Sequence, residues 1–488
     1  MKVKFPWAAL ALAGCSGAAT PLPEVPPTPA STLSQWQQPP PVAPEPDVAL
    51  DMAIRRVTFD NKLSLTVITR GDSKTSSFQL WVPSAGDRSE GRVAVMSDAL
   101  RAGTRVDEKT VLVNPKLAYQ PIFIGTQGTG TLFSWQVLGR ASEPALRLLG
   151  NFVFHPVFEP QATRERLQAA MTTIRAGSGS PGHLANIARS ALPGLDKIPT
   201  PEQDARGLLK LTPEALTKVH RCVISPAGAE LVVAGSLGFD RVEPWARAAF
   251  GSVPVPATDP SCSDLSVAAL DPASVQADQI QLAIVYGGAF DPVVMMSLPG
   301  PPPTSPDYVA FALLAEILQA RDVGSAQELR HMGATYGIHF SLNESFPGLS
   351  LLEVQGQIEE SNVQAAVRQV IEDIRGVAQT ITPEQLDEVK RRWRNGYLGM
   401  LSSNSAVASA ALAQIRRGRG PEALATWPNE LMQISIEQCR ATAQKWLSNA
   451  QPSIAVAGLP GKLARGLNLD ARIRALQWTY DLQEQRKL

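Results

Sequence analysis

Five histidines (His155, His183, His220, His331, His339) and four cysteines (Cys15, Cys222, Cys262, Cys439) could hold a metal or act as nucleophiles. A zinc helix needs two imidazoles four residues apart, so that both lie on one face. None of the histidines has such a partner, and none precedes His155. The cysteines are scattered and form no CxxC, which removes zinc-ribbon and thioredoxin chemistry. No GxSxG elbow is present to raise a serine nucleophile. Gly125–Gly130 is Gly-rich, but no Lys-Ser/Thr follows it, so it reads as a hairpin turn rather than a phosphate loop. Arg416, Arg417 and Arg419 read as a solvated helix end. Lys390, Arg391, Arg392 and Arg394 read as helix charges facing solvent or a partner. The 45 Lys+Arg balance the 45 Asp+Glu. A neutral chain without a basic block argues against nucleic-acid binding driven by phosphate contacts.

The elements that must position any site begin after an address and a spacer. The chain has 488 residues, 44% of them apolar and 18% charged, enough for sizeable cores. Lys2 and Lys4 precede the apolar run from Phe5 to Leu12. That run is shorter than the roughly 20 residues that span a membrane, and it reads as a secretory signal. Leu12-Ala13-Gly14-Cys15 resembles a bacterial lipobox. The resemblance implies that residues 1–15 are a lipoprotein signal segment, cleaved before Cys15, and that the lipid on Cys15, then the mature N-terminus, holds the chain to the membrane. Ser16, in place of Asp, points to the periplasmic face of the outer membrane. Residues 16–50 carry ten prolines between Pro21 and Pro46 and no hydrophobic period, so they read as a tether. In polyproline form such a tether reaches about 100 Å. With Cys15 lipidated, Cys222, Cys262 and Cys439 can form at most one disulfide, and the spacing leaves the pair open.

The body reads as a duplication. Strands are expected around Leu63–Val67, Phe78–Val82, Pro121–Leu138 and Glu230–Gly235. Helices are expected near 92–102, 142–153, 160–175, 213–223 and 239–249. Phe158-Glu-Pro-Gln matches Ile381-Thr-Pro-Glu, Leu211-Thr-Pro-Glu matches Ile434-Ser-Ile-Glu, and Leu231–Gly235 matches Ile454–Gly458, all at an offset of 223 residues. Phe78-Gln-Leu-Trp-Val also matches Ile280-Gln-Leu-Ala-Ile, at an offset of 202. Ordered matches of helix openings and strands imply two homologous α/β domains, 51–252 and 277–466. Residues 253–276 form a linker, and 467–488 a charged tail that is helical or frayed.

This pattern resembles the insulinase/pitrilysin metallopeptidases. Asn61–Ile68 resembles that family's opening strand, Gln79–Val82 with Gly86 its second strand and turn, and Gly103-Thr104 the end of its zinc helix. Phe158–Met171 resembles the segment bearing the third zinc ligand. Glu328–Arg330 with Gly333–Tyr336 resembles the second domain's "LRE…GxxY". The implied fold is α+β: two homologous sandwich domains of the inverted-zincin type, each a mostly antiparallel sheet packed with helices. Active members carry HxxEH, whose histidines bind zinc while the Glu activates water. Counted back from Gly103, the histidines fall at Ala94 and Asp98 and the Glu at Ser97. The third ligand falls at Thr172. The chain is thus expected to bind no metal and to need no cofactor. Arg330 and Tyr336 match the pair that contacts bound peptide in the family, with the loop one residue short. Many two-domain relatives close in pairs around an unfolded peptide. The expectation is therefore a non-catalytic subunit whose partner carries HxxEH and zinc. The alternative is a peptide-binding or scaffold lipoprotein without enzymatic work.

Overall fold

A computed structural model describes residues 52–71, 73–86, 89–102, 104–106, 109–111, 121–177, 180–190, 192, 201–257, 259–265, 279–286, 291–320, 337–346, 348–458 and 471–477. Cys15, the tether, Arg330 and Tyr336 lie outside the described residues.

In the first half, the strands are β1 (Ala53–Thr58), β2 (Ser64–Thr69), β3 (Thr75–Pro83), β4 (Thr104–Val106), β5 (Lys109–Val111), β6 (Phe123–Gln127), β7 (Gly130–Leu138) and β8 (Glu230–Gly235). Six of them form one sheet in the order β1-β2-β8-β3-β7-β6, and β4 and β5 form a small ribbon. The second half adds β9 (Ile280–Tyr286), β10 (Val293–Gly300), β11 (Ile338–Phe346), β12 (Leu349–Gln357), β13 (Ser453–Gly458) and β14 (Ala471–Gln477). These form a second sheet in the order β11-β12-β10-β13-β9-β14. The first sheet has one parallel pair, β2 with β8, and the second has two, β9 with β13 and with β14; the strands beyond β8 and β13 are antiparallel neighbours. The fold is the expected α+β duplication.

The registers fix the correspondence between halves. Ser64 lies opposite Glu230 as Gln281 lies opposite Ser453, so 64 maps to 281, an offset of 217. Ser77 lies opposite Ala234 as Val293 lies opposite Ala457, an offset of 216 for β3 and β10. The match of 78–82 with 280–284 is therefore corrected: β9 is the counterpart of β2, and β10 that of β3. Strands covered on both faces read as unbroken apolar runs, and such phrases match across unrelated positions. The tail is corrected as well, because Ala471–Gln477 is a strand. It pairs in parallel with β9, where β1 pairs antiparallel with β2.

The described helices are α1 (Arg92–Ala99), α2 (Ser142–Phe154), α3 (Pro160–Gly177), α4 (Pro181–Ser190), α5 (Pro201–Leu208), α6 (Pro213–Val223), α7 (Phe239–Ala246), α8 (Tyr308–Ala320), α9 (Val363–Thr380), α10 (Pro383–Met400), α11 (Asn404–Arg416), α12 (Ala423–Gln433) and α13 (Ile436–Trp446). The matched openings are helix caps. Thr212 accepts from Ala215 N ahead of Pro213, and Thr382 and Ser435 form capping boxes with Gln385 and Gln438. The offset of 223 runs from α3 and α10 through β8 and β13 and includes α4 and α11, helices the sequence reading missed.

Those two helices are exchanged. α4 leaves the first half and seats Leu184, Ala185, Ile187 and Ala188 on the second sheet, against Ala283, Val285, Ala455 and Ala457. α11 leaves the second half and seats Val407, Ala408 and Ala411 in a cluster with Ile68, Trp81, Val232 and Ala234 of the first sheet. Alanines on both surfaces let the backbones approach closely. Half-buried polar ties reinforce each seat. Arg189 pairs with Glu353. Asn404 donates to Ser73 Oγ and to the Thr75 carbonyl, each at 2.7 Å. The remaining face of the first sheet packs on α1, α2 and α6 around Phe78, Phe133, Trp135 and Phe152.

Cys222 on α6 is bonded to Cys262, with the Cα atoms 5.4 Å apart. The linker residues 259–265 are thereby held to the first half, and Arg92 pairs with Asp264 at 2.8 Å. Cys439 is buried, and burial pushes its thiol up to about 11. Alkylation of the native body is thus expected to leave all three cysteines unmodified. Denaturation without reductant exposes one thiol, and denaturation with reductant exposes three. A native-state adduct on Cys222 or Cys262, read by mass spectrometry, would refute the pairing.

Two charge expectations are corrected. Lys390 is buried and donates to the carbonyls of Met432 and Ile434, at 3.0 and 2.5 Å, closing the end of α12; Arg394 is buried too. Arg417 forms a bidentate pair with Glu344, and Arg419 pairs with Glu430, so these two are internally engaged, while Arg416 is exposed as the helix-end reading expects.

Candidate functional site

The degenerate metal positions sit on α1 and α3. Gly86 ends β3 at a φ of +53°, and a Cβ there would lie 2.2 Å from the Gly128 carbonyl oxygen. Only glycine lets this turn close on the β6–β7 hairpin. The buried Ser89 hydroxyl then donates to the Gly86 carbonyl and accepts from Val93 N, which sets the start of α1.

On α1, Ala94 is exposed and Asp98 half-buried, and a spacing of four places them on one face. Ser97 is buried and points inward, its hydroxyl 3.5 Å from that of Thr131 on β7. Asp98 is shared by two guanidiniums. Arg101 reaches Oδ1 at 2.9 Å, and Arg166 of α3 reaches Oδ2 at 3.6 Å. α3 buries Thr163 and Met171. Thr172 is exposed and donates to the Gln168 carbonyl, so the residue that α3 brings to Asp98 is Arg166, not Thr172.

This arrangement does not fit zinc. Ala94 has no donor atom, Ser97 is turned to Thr131, and Asp98 is spent on two cations that would repel a third. Among the described residues, no group of three or more His, Cys, Asp or Glu could hold a metal. Adding zinc or EDTA is expected to leave the melting temperature unchanged, since only ligands that bind the native state raise it. A zinc-dependent rise would show a ligand set that these residues do not provide.

The sequence could have suggested Arg101, three residues after Asp98 on a helix. Arg166 lies 68 positions away from Asp98 in sequence, and only the packing of α3 on α1 pairs them. Of the histidines, His220 is half-buried against Phe158 and donates from Nε2 to the Val153 carbonyl at 2.8 Å. Burial lowers it to about 4, so it is a neutral structural group at pH 7.

Beside α1, β6 is the last strand of its sheet. Gln127 faces Gly130 across a two-residue turn, and Gly125 faces Leu132. In such a hairpin the alternate residues, Ile124 and Thr126, turn their peptide groups away from β7. Arg101 caps one of these groups, donating to the Ile124 carbonyl at 3.2 Å.

A second electrostatic centre lies at the start of β8. Glu230 accepts from Arg56 at 2.6 Å through Oε1, while its buried Oε2 has no partner. Desolvation outweighs the attraction of Arg56 and raises the carboxyl to about 7.

Residues 210–392 match the family model of the Peptidase M16 inactive domain. A comparison with curated protein sequences finds no match. Among solved structures, a protease from Helicobacter pylori superposes with a TM-score of 0.71 at 13% identity, covering 83% of this chain and 99% of that one. A peptidase M16 inactive domain from Pseudomonas fluorescens gives 0.71 at 16% identity, covering 84% and 98%. The first half of the periplasmic protease PqqL from Escherichia coli gives 0.61 at 12% identity, covering 86% and 94%. Residues 210–392 are thus similar in sequence to the M16 inactive domain, and the two-sheet fold of the chain is shared with these solved structures.

Proposed function

We propose that this chain is the non-catalytic subunit of a heterodimeric zinc peptidase in the bacterial cell envelope. One observation carries the reading: the two-sheet body is kept while the helix face that would hold zinc is closed by Asp98 with Arg101 and Arg166. Such a chain can contribute shape and peptide contacts but not the metal. A partner bearing HxxEH supplies zinc and the water-activating Glu. The substrate is an unfolded peptide, since extended backbone can pair with the outward groups of Thr126 at the β6 edge, beside the Ile124 carbonyl that Arg101 takes. Arg330 and Tyr336 contact that peptide from the second half. Lipid on Cys15 and the proline-rich tether hold the body at the periplasmic face of the outer membrane. No nucleic acid and no cofactor of its own enter this function.

The test is a pull-down of tagged chain from its native envelope extract, with zinc and peptidase activity assayed on the eluate. Co-elution of a zinc-bearing homologue, with activity lowered by Arg330→Ala, is the expected result. Elution alone, zinc-free and inert, would replace this reading with a peptide-binding or scaffold lipoprotein.

A further inference from the structure

A cleft of about 480 Å³ opens between the two halves, away from Asp98. It is lined by Trp81 and Pro83 of β3, by the end of α11, and by Pro302 and Pro303 of the second half. Arg416, the last residue of α11, sits over the Trp81 ring, with the guanidinium carbon 3.8 Å from the ring centroid. Stacking fixes the plane of the guanidinium and leaves its edge, with the N–H donors, free to point sideways.

No hydrogen bond or ion pair is made by Arg416 among the described residues, although more than a third of the residue is exposed. Each acid that lines the cleft is already paired with an arginine, although Glu230 Oε2 has no hydrogen-bond partner among the described residues. Glu344 gives both oxygens to Arg417, at 2.8 and 3.0 Å, and Glu230 is held by Arg56. The hydroxyls of Thr129 and Thr304 also border the space. Among the described residues, the cleft therefore holds one unspent cation in a setting of proline, isoleucine and indole that solvates it poorly. Crowding by these walls lowers the affinity of Arg416 for its proton, while Glu344 nearby works in the opposite sense.

We propose that this inter-half cleft binds a small monocarboxylate, the carboxylate bidentate on Arg416 and an apolar body between Pro83 and Pro302. A planar fork on a fixed guanidinium suits a carboxylate edge-on. The charge count selects a monoanion: one free guanidinium neutralises one charge, and a phosphate dianion would carry a second charge toward Glu344 and Glu230. Volumes of this order suit small organic ligands and chain ends. The site is independent of zinc, of the partner subunit and of the sheet edge at β6.

The test is calorimetric titration of the full chain with hippurate, its uncharged amide hippuramide, and phenyl phosphate. Hippurate is expected to bind and hippuramide to bind at least about tenfold more weakly, because the charge-assisted fork is lost. Arg416→Gln keeps a planar group over Trp81 and removes the charge, so it weakens hippurate by a similar factor. Glu344→Gln frees Arg417 and tightens hippurate. Equal binding of hippurate and its amide, no binding of either, or no loss in Arg416→Gln would overturn the site. Tighter binding of phenyl phosphate than hippurate would overturn the monocarboxylate assignment. If Arg416→Gln does not fold, the amide comparison and Glu344→Gln still decide the question.

Discussion

Leu184→Asp in the first half is expected to loosen the sheet of the second half, at a cost above ~4 kcal/mol. Leu184 is 1% exposed and packs with Val285, Leu351 and Ala457. An unpaired carboxylate there has no hydrogen-bond donor and must either ionise in an apolar layer or force α4 off the sheet. Leu184→Ala removes only packing and is expected to cost about 2–5 kcal/mol. The distinguishing readout is amide hydrogen exchange. Amides of β9, β10 and β13 gain exchange rate, while those of β2, β3 and β8 change little. Ala411→Asp in α11 reverses the pattern, because Ala411 belongs to the layer over the first sheet. If Leu184→Asp frays α4 alone and spares the second sheet, the helix exchange does not couple the halves.

The second large effect is a pH dependence at Glu230. Its carboxyl stands at about 7 in the folded chain, against the ordinary 4.5. A raised carboxylate favours the folded state while it is protonated. That contribution is complete below pH 4.5 and is lost as pH rises through about 7. Such a shift corresponds to roughly 3 kcal/mol of ionisation penalty above neutrality. Glu230→Gln cannot ionise. It is expected to be more stable than the parent by ~2–3 kcal/mol at pH 8, with the difference vanishing toward pH 5. Arg56→Ala removes the attraction that opposes desolvation, so it moves the loss of stability to higher pH. Thermal melts across pH 5 to 8 measure both; equal stability of Glu230→Gln and parent at pH 8 would mean that the carboxylate is well solvated.

Much of the first half was legible because its signals are local. Thr212-Pro213 opens a helix by satisfying its own N–H groups, and alternation at Phe78–Val82 marks a strand wherever it lies. Other readings failed for a common reason. The tail after Gly466 reads as charged, with Arg472 and Arg474 inside it, yet pairing with β9 makes Ala471–Gln477 a strand. Arg417 and Arg419 read as solvent-facing, yet Glu344 and Glu430 pair with them; Arg416 is exposed as read, but its contact with Trp81 joins it to the other half. α4 gives little local signal, because its short apolar stripe seats on a sheet from the other half.

By itself the sequence determined that the body is duplicated, where many helices begin, and that no imidazole pair lies on α1. These follow from short-range chemistry: caps act over three residues, and a missing donor atom is missing in every fold. The tertiary structure decided which strand corresponds to which, that α4 and α11 trade places, that Cys222 takes Cys262, and that Asp98 is held by Arg166. Each of these joins segments far apart in the chain. Which partners meet is set by the packing of whole layers, and residue types and spacing carry no record of it.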